Sequence, residues 1–188
     1  LKIYGLPLSI RILIQLLIIL SLLGCSKKQT ESIRELDQSI VANQRNEVEI
    51  SKLESLWNSH SPHAPVALKL GNLYAEKGDH IKAAEYYESF LEMDSSIKAQ
   101  ETRLDFAKEL FKSGRTEEAK QELNILLEKI PNHAGALYNL GAIEGNVGND
   151  SMATEYWSKL IEIHPADSLS VLAAKFIEQV QTKTRDTE

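Results

Sequence analysis

One cysteine, Cys25, stands among 188 residues, which excludes an internal disulfide framework and any multi-cysteine metal site. Cationic charge is also in short supply, with 21 lysines and arginines against 27 aspartates and glutamates and a formal net charge of −6. With that balance, and with no basic stripe interleaved with aromatics, nucleic-acid binding is not expected. No glycine-rich phosphate loop and no local Ser/His/Asp or paired-carboxylate motif stands out, so no catalytic residue is assigned and no cofactor is expected. The histidines lack ligand company. His60 and His63 have metal-like spacing but lie in a Ser-Pro loop without a third ligand. His133 and His164 sit beside Pro131 and Pro165, where they join turns, and His80 lies near a helix start. No metal is expected from these. What remains, 43% apolar and 26% charged residues, is the composition of one small globular domain.

The longest apolar run, 12–23, is broken at Gln15 and Ser21 and follows Lys2 and Arg11. It is short for a bilayer span. A cationic flank, about a dozen apolar residues and then small residues fit a secretory leader. The run ends on Leu22-Leu23-Gly24-Cys25, which resembles the lipobox of bacterial lipoproteins. That resemblance implies a signal peptide over 1–24 cut between Gly24 and Cys25, a lipid on the Cys25 thiol, and a tether over 25–29. Several acyl chains together hold a membrane stably where one does not. Ser26 follows the cysteine instead of the aspartate that retains many such proteins in the inner membrane, which implies the outer membrane, facing the periplasm. The other reading makes 1–24 an uncleaved membrane anchor; in both, the remainder lies outside the cytoplasm. Since the chain opens on Leu1, the initiating methionine is expected upstream.

From residue 64 onward the sequence repeats. Gly148 follows Gly114 by 34 residues, and Gly114 follows Gly78 by 36. Five residues beyond each glycine stands an alanine (Ala83, Ala119, Ala153), and four further on a large apolar residue (Tyr87, Leu123, Trp157). A period of this length is the mark of stacked helical hairpins. In detail, Leu70-Gly71, Tyr74, Gly78, Ala83, Tyr87 and Phe90 are matched by Phe106-Ala107, Leu110, Gly114, Ala119, Leu123, Leu126 and Pro131, and by Leu140-Gly141, Gly148, Ala153, Trp157, Leu160 and Pro165. This pattern resembles the tetratricopeptide repeat, with units at 64–97, 100–133 and 134–167, Lys98 and Ala99 as an insertion, and Glu144 in place of a tyrosine.

The expected fold is therefore all-α, an α-solenoid of three tetratricopeptide hairpins closed by a capping helix over 168–182. Each turn glycine can take the left-handed conformation that ends a first helix. Asp79, Thr116 and Asp150 are placed to cap the second helices, and Pro131 and Pro165 to stop them. The last helix carries Leu169, Leu172, Ala173, Phe176, Ile177 and Val180 on one face, as an open array end requires. Residues 183–188 form a tail without apolar side chains, expected to be disordered. Residues 30–63 read in two ways. They can form a degenerate first hairpin, with a turn over 43–46 and Asn46 as N-cap, or a tether with one helix near 47–58.

The resemblance implies a binding groove lined by the first helix of each unit: Leu68, Asn72 and Ala75, then Leu104, Lys108 and Phe111, then Tyr138, Ala142 and Gly145. Such a surface is mostly apolar with small residues at one end and suits an extended or helical segment of another protein. A clamp for a C-terminal carboxylate, which some members of the family use, is poorly supplied, with Asn72 and Asn139 in position but Lys108 as the only groove cation. The expectation is a membrane-anchored envelope scaffold for a protein or peptide partner, not an enzyme. A chaperone-like or haem-protein maturation role on the same scaffold, and an enzyme using the groove as active site, stay open as alternatives.

Overall fold

The computed structural model describes residues 63–185 without interruption, together with 43–59 and scattered positions between 31 and 41. The leader, the lipobox with Gly24 and Cys25, the tether 25–29, His60 and residues 186–188 lie outside the described residues. Two compact units divide the chain, Leu1–Glu49 and Ile50–Glu188. In the first, the described positions are helical.

The second unit is a succession of helices: α1 (helical without a break over 43–59, with 50–59 in this unit), α2 (Ala64–Lys77), α3 (His80–Met93), α4 (Ile97–Lys112), α5 (Thr116–Lys129), α6 (Ala134–Asn146), α7 (Asp150–Ile163) and α8 (Ser168–Arg185). Three hairpins pair α2 with α3, α4 with α5 and α6 with α7, and each second helix packs on the next first helix. The first helices also touch along one side, α4 to α6 and α6 to α8. This is the all-α solenoid that the repeat implies.

The repeat residues do what their sizes suggest. Gly78, Gly114 and Gly148 have φ of 81°, 87° and 85°, a conformation that costs an L-residue roughly 1–2 kcal/mol. Ala83, Ala119 and Ala153 are fully buried between crossing helices, and Leu70, Leu110, Leu123 and Leu140 fill the layers between them. Gly71 lies under the ring of Tyr87, and Gly141 under the indole of Trp157.

Four details depart from the sequence reading. Lys98 and Ala99 are no loop insertion. They lengthen α4 at its start, where Ser96 accepts from the Lys98 amide and Ala99 packs with Ala67 and Phe90. Thr116 and Asp150 begin their helices instead of capping them. The N-cap positions fall to Arg115 and Asn149, neither with a side-chain cap bond: the Arg115 guanidinium has no acceptor to offer and donates to Glu118, and the Asn149 side-chain amide donates to Glu144. Only Asp79 caps as expected, accepting from the Lys82 amide. Residues 43–46 are helical; Gln44 and Arg45 are good helix formers and no glycine or proline interrupts them. Finally, α8 runs to Arg185, so 183–185 are helical, since a packed helix extends through polar residues at little cost.

At the open start of the second unit, α1 covers the first hairpin. Ile50 is buried, and Leu53 and Trp57 pack on the same core. Trp57 meets Tyr86 edge-on with centroids 5.8 Å apart, and Tyr74 donates to Glu54 at 2.5 Å while accepting from Lys82 at 3.1 Å. Glu109 and Glu144 make comparable ties further along. Glu109 holds His80 at 2.5 Å and Lys112 at 2.8 Å. Glu144 holds Lys120 at 3.3 Å and Asn149 at 3.1 Å. Both carboxylates are buried, where a polar group without partners would be costly.

His133 occupies the N-cap of α6 and its Nδ1 accepts from the Ala136 amide at 3.2 Å. Burial, and then the nearby His164, lower its pKa from the ordinary 6.5. An unfolded chain therefore takes up this proton first, and its share of stability is full above the ordinary histidine pKa and is lost as pH falls below it. His133→Asn, which keeps a good cap acceptor, is expected to flatten that part of the stability–pH curve, as followed by denaturant melts between about pH 5 and 8.

Candidate functional site

The side formed by the first helices carries the residues in question. On α2, Leu68 and Ala75 are half-buried in the core, and the exposed Asn72 accepts a hydrogen bond from Tyr87 Oη at 2.8 Å. Burial of Tyr87 pushes its phenol pKa far up, so it remains a neutral donor and fixes the Asn72 amide. On α4, Leu104 packs on the core and reaches the backbone of Gly135, where a Cβ would lie 2.8 Å from its methyl. It is a joint between units more than a free contact.

Two hollows open on this side. Between α4 and α6 a slot of ≈ 250 Å³ is lined by Lys108, Phe111, Lys112, Leu123, Asn139 and Ala142, among others. The sequence reading made Lys108 the only groove cation; Lys112 stands at the same slot. Each has an acidic companion one turn away, Lys108 with Asp105 at 3.0 Å and Lys112 with Glu109 at 2.8 Å, and Asn139 donates to the Gly135 carbonyl at 2.6 Å. The polar groups that a carboxylate clamp would need are thus already engaged.

The second hollow, ≈ 410 Å³, lies where α6 and α7 meet α8. Its floor exists because of small residues. Ala142 and Gly145 leave room beside Trp157. The indole is itself buried and donates from Nε1 to the Tyr138 carbonyl at 3.2 Å. Phe176 of α8 stacks on Trp157, with centroids 5.4 Å apart and planes 22° apart, and reaches Tyr138 at 6.5 Å. Asn146, Asp150 and Gln179 supply polar groups at the rim.

Tyr138, Ala142 and Gly145 are therefore brought together, and Lys108 and Phe111 share the slot with Ala142. Asn72 stands at the far end of the row. Missed in the sequence were Phe176 and Gln179, read only as part of a cap. The signal was available: Phe176 follows Ala142, and Gln179 follows Gly145, by one 34-residue period, so α8 presents the groove positions of a fourth first helix. Among the described residues, no group of three His, Cys, Asp or Glu side chains is placed to hold a metal ion, and no helix is long and apolar enough to cross a membrane.

Comparison with known proteins agrees with this architecture. Residues 64–97 match the tetratricopeptide repeat family. A TPR repeat-containing protein of Rhizobium etli is 33% identical over 57 residues, a match spanning 30% of this chain and 28% of that protein. Among solved structures, YrrB, a TPR protein with an unusual peptide-binding site, superposes with a TM-score of 0.63 at 24% identity, covering 72% of this chain and 69% of its own. A tetratricopeptide repeat protein of Parabacteroides merdae gives 0.63 at 20% identity, covering 81% and 60%. The first TPR of Spaghetti (RPAP3), bound to the HSP90 peptide SRMEEVD, gives 0.55 at 17% identity, covering 65% and 93%. The chain thus carries a tetratricopeptide repeat at 64–97 within an all-α solenoid of the tetratricopeptide fold.

Proposed function

We propose that this protein is a lipid-anchored envelope scaffold whose row of first helices holds a segment of a partner protein. The observation that carries the binding half is the pair of hollows on one side, joined through Ala142, which lines both. Similar folds in YrrB and in RPAP3, with their peptide sites, support a protein or peptide occupant. Anchoring rests on the Leu22-Leu23-Gly24-Cys25 sequence alone. Confining the array to the outer-membrane surface facing the periplasm would raise its effective concentration toward partners there, so assembly of an envelope complex is promoted without a catalytic step.

The two halves are tested separately. Cys25→Ser is expected to abolish incorporation of a labelled fatty acid and to prevent cleavage at Gly24; retained labelling would refute the anchor. Phe111→Ala and Lys108→Glu, checked for unchanged melting behaviour, are expected to lose a partner captured by the wild-type chain. Retained capture with both would remove the groove reading.

A further inference from the structure

The charged groups around the two hollows already have partners, so what the hollows offer an incoming chain is apolar surface. At the slot, Lys108 is paired with Asp105 and Lys112 with Glu109, which leaves Ala107, Phe111, Leu123, Ile143 and the lysine stems as walls. At the larger hollow, Asp150 has an interaction partner of its own, and the broad surfaces are those of Trp157, Phe176 and Val180. A charged side chain entering either hollow would give up water without gaining an unpaired counter-charge among these lining residues. An apolar one gains in proportion to the area it buries. The complementary ligand is therefore uncharged at both places.

The spacing of the hollows adds a second constraint. They lie on the two sides of α6, the slot toward α4 and the larger hollow toward α8, and Ala142 lines both. α6 touches α4 on one side and α8 on the other, and helices in contact lie about 8–10 Å apart, so the centres of the hollows are separated by about that distance. In a β-strand the side chains alternate faces at about 3.3 Å per residue, which puts same-face positions at about 7 or 13 Å. In a polyproline II segment, residues i and i+3 share a face about 9 Å apart with no side chain between them on it. An α-helix spans about 10 Å from i to i+7, but it also sets i+3 and i+4 on that face, over Ala142, between the hollows. Resting on the groove reading above, we propose that the occupant is an extended partner segment in the polyproline II conformation with uncharged apolar residues at i and i+3. One is seated on Phe111 in the slot and the other against Phe176 in the larger hollow, and the backbone between them crosses α6 at Ala142.

The test uses the full chain in detergent, 15N-labelled, titrated with acetyl-Leu-Pro-Pro-Leu-amide up to roughly 10 mM, where short peptides bind. The readout is the Trp157 indole N–H resonance, told from that of Trp57 by its loss in Trp157→Phe. A saturable shift is expected, with an affinity that added sodium chloride does not weaken, since no charge is recognised. Replacing either leucine by alanine is expected to weaken binding about tenfold, and replacing either by lysine or glutamate at least as much. Acetyl-Leu-Pro-Pro-Pro-Leu-amide, whose second leucine is turned off the shared face, is expected to bind no better than the single-leucine peptides. No saturable shift, equal binding by the five-residue, single-leucine or charged peptides, or tighter binding by an alanine-based helical peptide with leucines at i and i+7 would each overturn the proposal. Partner capture separates the two readings. If it is lost in Phe111→Ala and Lys108→Glu while the peptide series fails, the groove stands and only the paired apolar anchors fall.

Discussion

Trp157→Ala is expected to lower the stability of the fold by about 3–5 kcal/mol, the range for a large aromatic removed from a core. The upper part of that range applies because the space cannot collapse. Trp157 is 4% exposed and lies against Gly141 and Gly145, which have no side chains to move inward. Phe176 loses its stacking partner at the same time, and the Tyr138 carbonyl loses its indole donor. The loss should be visible as an earlier midpoint in urea with an unchanged slope. A change below about 1 kcal/mol would mean that the indole is not packed as described.

Gly141→Ala is the second large effect. A Cβ there would lie 2.4 Å from Trp157 Nε1 and 2.6 Å from Cδ1. The indole has little freedom to yield, being hydrogen-bonded at Nε1 and stacked on Phe176. Overpacking of this kind costs about 1–3 kcal/mol, against a gain of roughly 1 kcal/mol for alanine over glycine in a helix, so the net change is destabilising. Gly145→Ala is the internal control. Its Cβ would meet Trp157 only at 3.3 Å, and the helix gain should leave it near neutral. Combining Gly141→Ala with Trp157→Leu should remove most of the penalty, since the clash is between these two residues. Equal melts for Gly141→Ala and Gly145→Ala would contradict the packing.

The fold was legible because the repeat writes its geometry into residue size. Gly78, Gly114 and Gly148 mark turns of positive φ, and Ala83, Ala119 and Ala153 mark close crossings; each recurs in phase, so no single match had to carry the reading. Caps were less legible. Asn149 and Asp150 are both good cap residues, and the choice between them turned on Glu144, a buried carboxylate in the preceding helix that claims the Asn149 amide. Residues 98 and 99 looked like an insertion only because the 34-residue frame is blind to a helix that starts early.

The site was half legible. Tyr138, Ala142, Gly145, Lys108 and Phe111 fall on first-helix positions of recognised units and do line the hollows or adjoin them. Phe176, Gln179 and Lys112 were hidden for different reasons. The first two belong to a helix whose lack of a following partner made it read as a cap. Lys112 belongs to the last turn of α4, where a cation serves the helix dipole and draws no attention. Leu104 shows the opposite error, because the position is right but its side chain is spent against Gly135.

Under the function proposed above, one side of the array, built from the first helices, holds a partner protein. Site-specific photo-crosslinking in cells that make the protein natively tests it most directly, with the crosslinker placed at Asn72, Lys108 or Phe176 on that side and at the exposed Glu88, Gln121 or Glu155 on the second helices. The expected result is the same adduct from the three first-helix positions and none from the other three. Adducts from the second helices alone, or in equal yield from both sides, would contradict it.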